Sequence, residues 1–261
     1  MRFPVASYSS HPQSVAVADF DSNGHMDIVV ANSGLDNVSI NLGYGNSSFA
    51  SPIQYSMGVG SAPRMVAVGH FNDDTVIDIV VANFGTNNII VLFGKGDGSF
   101  SDQTPIQTSP TRPLYVVVVD FNNDTCLDVV VDDFNQDQYL DIAVVNSDTN
   151  NIGIFLGFGD GTFSSMIASS TGDFSSPVSL SVGHFDNDTN LDIAVANFGI
   201  NNVCILFGYG NGRFRNVVCR TSGYDSRPFA VASGDVNGDN KADIVIVNHG
   251  SSTVEILTKF C

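Results

Sequence analysis

Six short stretches of the chain set Asp or Asn at alternate positions and close on an Asp at the ninth. The first runs Asp19, Asp21, Asn23 and Asp27, with His25 at the seventh position. The others supply Asn72, Asp74 and Asp78; Asp120, Asn122, Asp124 and Asp128; Asp133, Asn135, Asp137 and Asp141; Asp186, Asp188 and Asp192; and Asp235, Asn237, Asp239 and Asp243. Alternate side chains in a tight loop converge on one centre, and crowded carboxylates repel one another unless a cation stands between them. Calcium takes about six to eight oxygens from carboxylates, amides, carbonyls and water. Zinc would draw Cys and His into the ligand positions, and magnesium demands stricter octahedral geometry. The donor set is therefore that of Ca2+, with positions one, three, five and nine as its ligands. Asp and Asn also favour turns for their own sake. That accounts for one such loop, but poorly for six with the same spacing.

Catalytic chemistry is not marked out. The chain carries no Gly-x-Ser-x-Gly elbow, no phosphate loop and no His-Glu-x-x-His. Paired carboxylates can do glycosidase work, yet these recur in every repeat, whereas a catalytic pair need occur only once. His70 and His184 stand at position one of their loops. Neutral imidazole is a poor ligand for a hard ion, so those two loops should bind more weakly. The expectation is a protein that is not an enzyme.

The elements that position these loops repeat with them. Counting from Asp19, His70, Asp120, Asp133, His184 and Asp235, the spacings are 51, 50, 13, 51 and 51 residues. A period near 50 falls in the range of β-propeller blades. Within a repeat, Met65-Val66-Ala67-Val68-Gly69 is a first apolar run. Ile77 to Asn83 is a second, Ile89 to Gly94 a third, and a fourth starts at Phe100. Asp-Gly or Asn-Gly turns join the third and fourth at 97–98, 160–161 and 211–212, a strong hairpin signal. Near-continuous Val/Ile runs suit strands buried on both faces. A β-sandwich could carry such strands, but it does not need regular self-similarity. The fold expected is all-β: a β-propeller of about five four-stranded blades, forming one domain over 1–261. The blades fall near 10–57, 58–108, 109–170, 171–221 and 222–261, the last taking in 1–9. Arg2-Phe3-Pro4-Val5-Ala6-Ser7-Tyr8 resembles the fourth-strand segment from Arg213, so the N-terminal strand would complete the last blade and remove two open edges.

Composition agrees. Of 27 acidic residues only Glu255 is a glutamate, and Asp favours turns and metal loops where Glu favours helices. A formal charge of −17 argues against a nucleic-acid partner. No apolar stretch approaches the roughly 20 residues of a membrane span, so no membrane insertion is expected.

The motif Asp-x-Asp/Asn-x-Asp/Asn-x-x-x-Asp, followed by a Val/Ile strand and a Phe-Gly or Leu-Gly turn, resembles the FG-GAP and VCBS repeats. These build the calcium-binding propellers of integrin α-subunits and of many secreted proteins. The resemblance covers essentially the whole chain, and it implies the fold, calcium, and ligands at positions one, three, five and nine. It also implies an extracellular binding or adhesion module, with an unknown protein or glycan as partner; the rivals are a repeat-based lectin and the accessory propeller of a larger secreted hydrolase. Two features depart from the family pattern. The glycine expected at position six survives only as Gly24; Thr75, Thr125, Gln138, Thr189 and Asn240 replace it. The other departure is the pair of histidines at position one.

Several signals bear on compartment and surface. Asn37, Asn46, Asn123 and Asn187 begin N-glycosylation patterns. Cys204 and Cys219 lie on strands three and four of one hairpin and could be bridged. No signal peptide starts at Met1, and the reading preferred here is that the start lies upstream. Phe84, Phe198 and His249 sit in the turns after the second strands, a candidate surface of aromatic and amide groups. Finally, loops 120–128 and 133–141 stand 13 residues apart with one strand between them. Strand parity should force one copy, the first, out of the blade.

Overall fold

The computed structural model describes residues 9–101, 105–108, 113–115, 131–132, 134–137, 139–186 and 188–258. The fold is all-β, with five antiparallel sheets and almost no helix among the described residues. It is a β-propeller whose blades follow the sequence period. Two compact units divide the chain.

The first unit comprises Met1–Val129 with Gly159–Thr162. Its first blade is β1 (Pro12–Ala18), β2 (Asp27–Asn32), β3 (Asn37–Asn41) and β4 (Ile53–Ser56), paired in that order. Its second is β5 (Pro63–Gly69), β6 (Asp78–Asn83) and β7 (Asn88–Gly94), with β8 (Phe100–Ser101) and β9 (Ile106–Gln107) both pairing with β7. A short strand, β10 (Pro113–Tyr115), packs against β5 and β6.

The second unit comprises Val130–Phe158 and Phe163–Cys261. One blade holds β11 (Val131–Asp132), β12 (Asp141–Asn146), β13 (Asn151–Phe155) and β14 (Ile167–Ser170). The next is β15 (Pro177–Gly183), β16 (Asp192–Asn197), β17 (Asn202–Gly208) and β18 (Phe214–Thr221). The last described blade is β19 (Pro228–Gly234), β20 (Asp243–Asn248) and β21 (Thr253–Leu257). Its fourth strand was expected from the N-terminal segment, and residues 1–8 lie outside those described.

Each second strand reads Asp, four apolar residues, Asn. β6, β12 and β16 are buried at every position. Their branched side chains suit a pleated strand covered on both faces. Fully burying one such side chain contributes about 1.5–3 kcal/mol. The closing Asn serves the turn that follows. Nδ2 of Asn32, Asn83, Asn146 and Asn197 donates to Oδ1 of Asn37, Asn88, Asn151 and Asn202 at 2.9–3.1 Å. The first strand opens with Pro12, Pro63, Pro177 or Pro228, and a register shift follows each. Proline has no N–H for the ladder and is tolerated at a strand start or a bulge.

Blades in one unit pack sheet against sheet. β15 and β16 meet β19 over a core that includes Phe185, Ile205, Phe207, Val231, Ile244 and Ile246. Polar clamps reinforce the stacking. Asp36 accepts hydrogen bonds from Gly60 and Ala62 N–H at 2.7 and 2.9 Å, ahead of the second blade. Asn150 and Asn201 repeat this for Ser176 and Arg227 N–H, each at 2.9 Å.

The Asp-Gly and Asn-Gly hairpin tips reach the preceding blade. Gly98 N–H donates to Phe20 C=O at 3.1 Å, and Gly212 N–H to Phe134 C=O at 2.9 Å. Both glycines have positive φ, and a Cβ there would meet Leu42 or Leu156 within 2.8 Å. Asn72 forms an isolated bridge with Asp160 of the third such tip.

The disulfide is present. Cys204 and Cys219 face each other across β17 and β18 and are bonded. Of the glycosylation patterns, Asn46 is exposed, while Asn37 is buried in β3 with its amide 3.1 Å from that of Asn32. Asn123 and Asn187 lie outside the described residues.

In the duplicated segment the second copy takes the regular register. Asp132 faces Asp141, as Gly69 faces Asp78 and Gly183 faces Asp192. The expected extrusion of the first copy, with Asp120, Asn122, Asp124 and Asp128, falls outside the described residues, as does Asp133.

Candidate metal loops

The loops join the first and second strands of each blade, and the ninth residue opens the second strand. That residue, Asp27, Asp78, Asp141, Asp192 or Asp243, is wholly buried. Its carboxylate pins the loop. Phe20, Phe71, Phe134 and Phe185 N–H donate to one oxygen at 2.7–2.8 Å. Gly43, Gly94, Gly157 and Gly208 N–H, at the end of the third strand or just past it, donate to the other at 2.6–2.9 Å. In the last blade Val236 N–H and the Asn237 amide do the same for Asp243 at 3.1 and 3.3 Å. Burial raises the pKa of Asp27 and of Asp192, and raises that of Asp78 to about 6, against the opposing pull of these N–H groups.

Two local geometries follow from the residue at position one. Where it is Asp19, its oxygens accept Asn23 and Gly24 N–H at 3.1 and 2.8 Å. Asp235 accepts Gly238 and Asn240 N–H at 2.7 and 2.8 Å. Both loops take positive φ at positions four and six, at Ser22 and Gly24 and at Gly238 and Asn240. Glycine and Asn tolerate that region; a β-branched residue does not. Where position one is His70 or His184, its Nδ1–H donates instead to the position-seven carbonyl of Val76 or Asn190, each at 2.9 Å. Thr75 and Thr189 then avoid positive φ. The departure at position six is thus resolved by a second loop form.

Positions three and five are tied together in most loops. The Asn23 amide donates to Asp21 at 2.9 Å, Asn72 to Asp74 at 2.9 Å, and Asn135 to Asp137 at 2.9 Å. Among the described residues, two loops bring three acids within 4.8 Å of one another, Asp19–Asp21–Asp27 and Asp186–Asp188–Asp192. In the first, Asp21 Oδ1 is inaccessible and has no hydrogen-bond partner. An orphaned carboxylate oxygen beside two other carboxylates is the donor set that a hard cation satisfies. In the second, Arg215 pairs with Asp186 and stands 3.6 Å from Asp188.

Sequence reasoning missed the second role of position nine. A signal was available, because the pinning glycine follows that Asp by 16 residues in four repeats. Phe84 and Phe198 lie where expected, but guanidinium groups cover them. Arg64 sits 5.1 Å from the Phe84 ring centre and Arg227 5.8 Å from that of Phe198.

Blades with acidic loops between their first two strands define a class of repeat propeller. Four segments, 19–81, 70–131, 133–195 and 184–246, match the model of the FG-GAP-like repeat, and the chain belongs to that family. No curated protein matches the sequence. Among solved structures, a protein from Lactobacillus plantarum is similar over 94% of this chain, with TM-score 0.63 and 13% identity. This chain spans 66% of that one. Virginiamycin B lyase from Staphylococcus aureus is similar over 99% of this chain and 87% of its own, with TM-score 0.52 and 12% identity. Likeness at such identity concerns the fold. It nonetheless corrects the expectation of a protein that is not an enzyme. That expectation rested on absent catalytic motifs and on carboxylate pairs that recur in every repeat, and a lyase is built on a similar fold.

Among the described residues, no helix is long and apolar enough to cross a membrane.

Proposed function

We propose that this chain is a calcium-binding propeller that works outside the cell as a ligand-binding or adhesion module. The observation that carries the reading is the Asp19–Asp21–Asp27 cluster with its orphaned Asp21 oxygen. Asp19, Asp21, Asn23 and Asp27 would hold the ion there. The corresponding sets are Asn72, Asp74, Asp78; Asp120, Asn122, Asp124, Asp128; Asp133, Asn135, Asp137, Asp141; and Asp235, Asn237, Asp239, Asp243. The bound ion would supply positive charge at the crowded carboxylates. The protein's own residues fix loop shape and tie four of the loops to the end of the third strand.

An extracellular setting fits two features. Disulfides persist in oxidising compartments, and the Cys204–Cys219 bridge spans β17 and β18. Weak calcium sites fill at the millimolar calcium found outside cells. A protein partner is favoured over a sugar, because Arg64 and Arg227 already cover the Phe84 and Phe198 rings on which a sugar would stack.

The test is a melting curve in chelator against one in millimolar calcium, with magnesium as control. An ion at one hundred times its dissociation constant stabilises the folded state by about 2.7 kcal/mol per site. A marked rise with calcium, reduced in Asp21→Asn, is expected. Superimposable curves would sink the metal assignment. A glycan array that lights up would replace the protein partner with a sugar.

A further inference from the structure

We propose that the fifth loop, His184 to Asp192, carries its own cation: the Arg215 guanidinium occupies the place a metal would take, and gates that loop against calcium. The inference rests on the calcium reading of the other loops, and marks where the family pattern does not fit this chain.

Position three tells the two acidic clusters apart. In the first loop it is Asp21, whose Oδ1 is buried without a partner. In the fifth it is Asp186, whose side chain is 10% exposed and pairs with Arg215. The same guanidinium nitrogen is 3.6 Å from the position-five carboxylate of Asp188. One charge thus faces two of the three acids that lie within 4.8 Å of one another.

Arg215 is held for this task. Its guanidinium carbon lies 5.2 Å from the centre of the Phe207 ring, in the strand paired with its own. A planar guanidinium both stacks on an aromatic face and forks onto carboxylates, which an ammonium does less well. The arginine is particular to this blade. It follows Phe214, whereas Ala50, Ser101 and Ser164 follow the equivalent Phe49, Phe100 and Phe163. None of those side chains carries a charge.

A second ligand is also engaged. The position-seven carbonyl, Asn190 C=O, accepts the His184 Nδ1–H at 2.9 Å. In this loop two carboxylates face Arg215 and one carbonyl is taken by His184. A tethered cation loses no translational freedom on binding, so a calcium ion must displace a partner at high effective concentration. The fifth loop therefore keeps its shape without calcium, while the first needs the ion.

Calorimetric titration of calcium into the metal-free protein tests this, with Arg215→Gln, Asp186→Asn and Asp21→Asn alongside wild type. Arg215→Gln should bind one more equivalent than wild type. Asp186→Asn should bind the wild-type number, and Asp21→Asn one fewer. An unchanged count in Arg215→Gln, or an equivalent lost in Asp186→Asn, overturns the gate. Asp21→Asn then reports separately on the calcium reading. If wild type binds no calcium but Arg215→Gln binds one, the gate stands and the first-loop assignment falls; if neither binds, both fall. Should Arg215→Gln not fold, the Asp186→Asn count decides alone.

Discussion

Replacing Asp78 by Ala separates the structural work of the ninth loop residue from any metal it holds. The wild-type carboxylate accepts Phe71 and Gly94 N–H at 2.8 and 2.9 Å, and it is wholly buried. Each buried N–H left without a partner costs about 1–3 kcal/mol, so the pair costs about 2–6 kcal/mol. Burial works the other way. It raises the Asp78 pKa to about 6 from 3.8. At about 1.36 kcal/mol per unit, keeping the group ionised near neutral pH costs about 3 kcal/mol, which alanine relieves. The folded pKa lies above the unfolded one. The group's contribution is therefore fully present below the unfolded value and is lost as pH rises through about 6. In metal-free buffer the alanine variant should thus be destabilised by about 2–6 kcal/mol near pH 4, and by about 3 kcal/mol less near pH 7. Urea unfolding at both pH values, followed by circular dichroism, reads the difference; background titrations shared by the two proteins cancel. Asp78→Asn, which cannot ionise but still accepts one N–H, should lie between the two. A destabilisation of Asp78→Ala that is equal at both pH values, or larger near neutrality, would refute the assignment of burial as the dominant influence.

Two further outcomes can be checked on the same instruments. Cys204→Ser with Cys219→Ser opens a 15-residue loop and should cost about 3 kcal/mol. Reductant added to wild type should reproduce that shift, and a smaller loss in both would mean the β17–β18 ladder holds without the bridge. Asp36 has its pKa lowered, first by the Ala62 N–H and then by that of Gly60. Its contribution is present above the ordinary carboxylate range and fades as pH falls through the depressed value, so Asp36→Ala should flatten the acid limb of a melting-temperature profile.

Much of the fold was legible because it is local and repeated. The Asp, the Val/Ile run and the closing Asn mark each second strand, and Asp-Gly or Asn-Gly marks each hairpin. The Cys204–Cys219 bridge was readable because the two residues sit opposite each other in one hairpin. What escaped was long-range or depended on side-chain direction. Arg215 meets Asp186 across 29 residues of chain, and nothing in the spacing of either announces the other. His70 and His184 read as weakened ligands, whereas their Nδ1–H groups turn inward to a carbonyl of their own loop. The burial of Asn37 overrode its glycosylation pattern, since a buried β3 side chain cannot carry a glycan in the folded protein.

The hairpin tips have a consequence for how such a chain can change length. Gly98 holds Phe20, Gly212 holds Phe134, and Asn72 is bridged to Asp160. Each of these three loops is thus finished by the repeat that follows it. The seam between repeats in sequence is not a seam in energy. Excising one whole period rejoins a loop to an equivalent tip. Excising part of one leaves a loop with nothing over it and a tip glycine with no carbonyl to meet. This packing therefore tolerates gain or loss in whole periods near 50 residues and resists fractions of one. The 13-residue duplication obeys the same constraint in its own way. The copy that took the blade's register, ending at Asp141, is the one whose Phe134 carbonyl is met by Gly212.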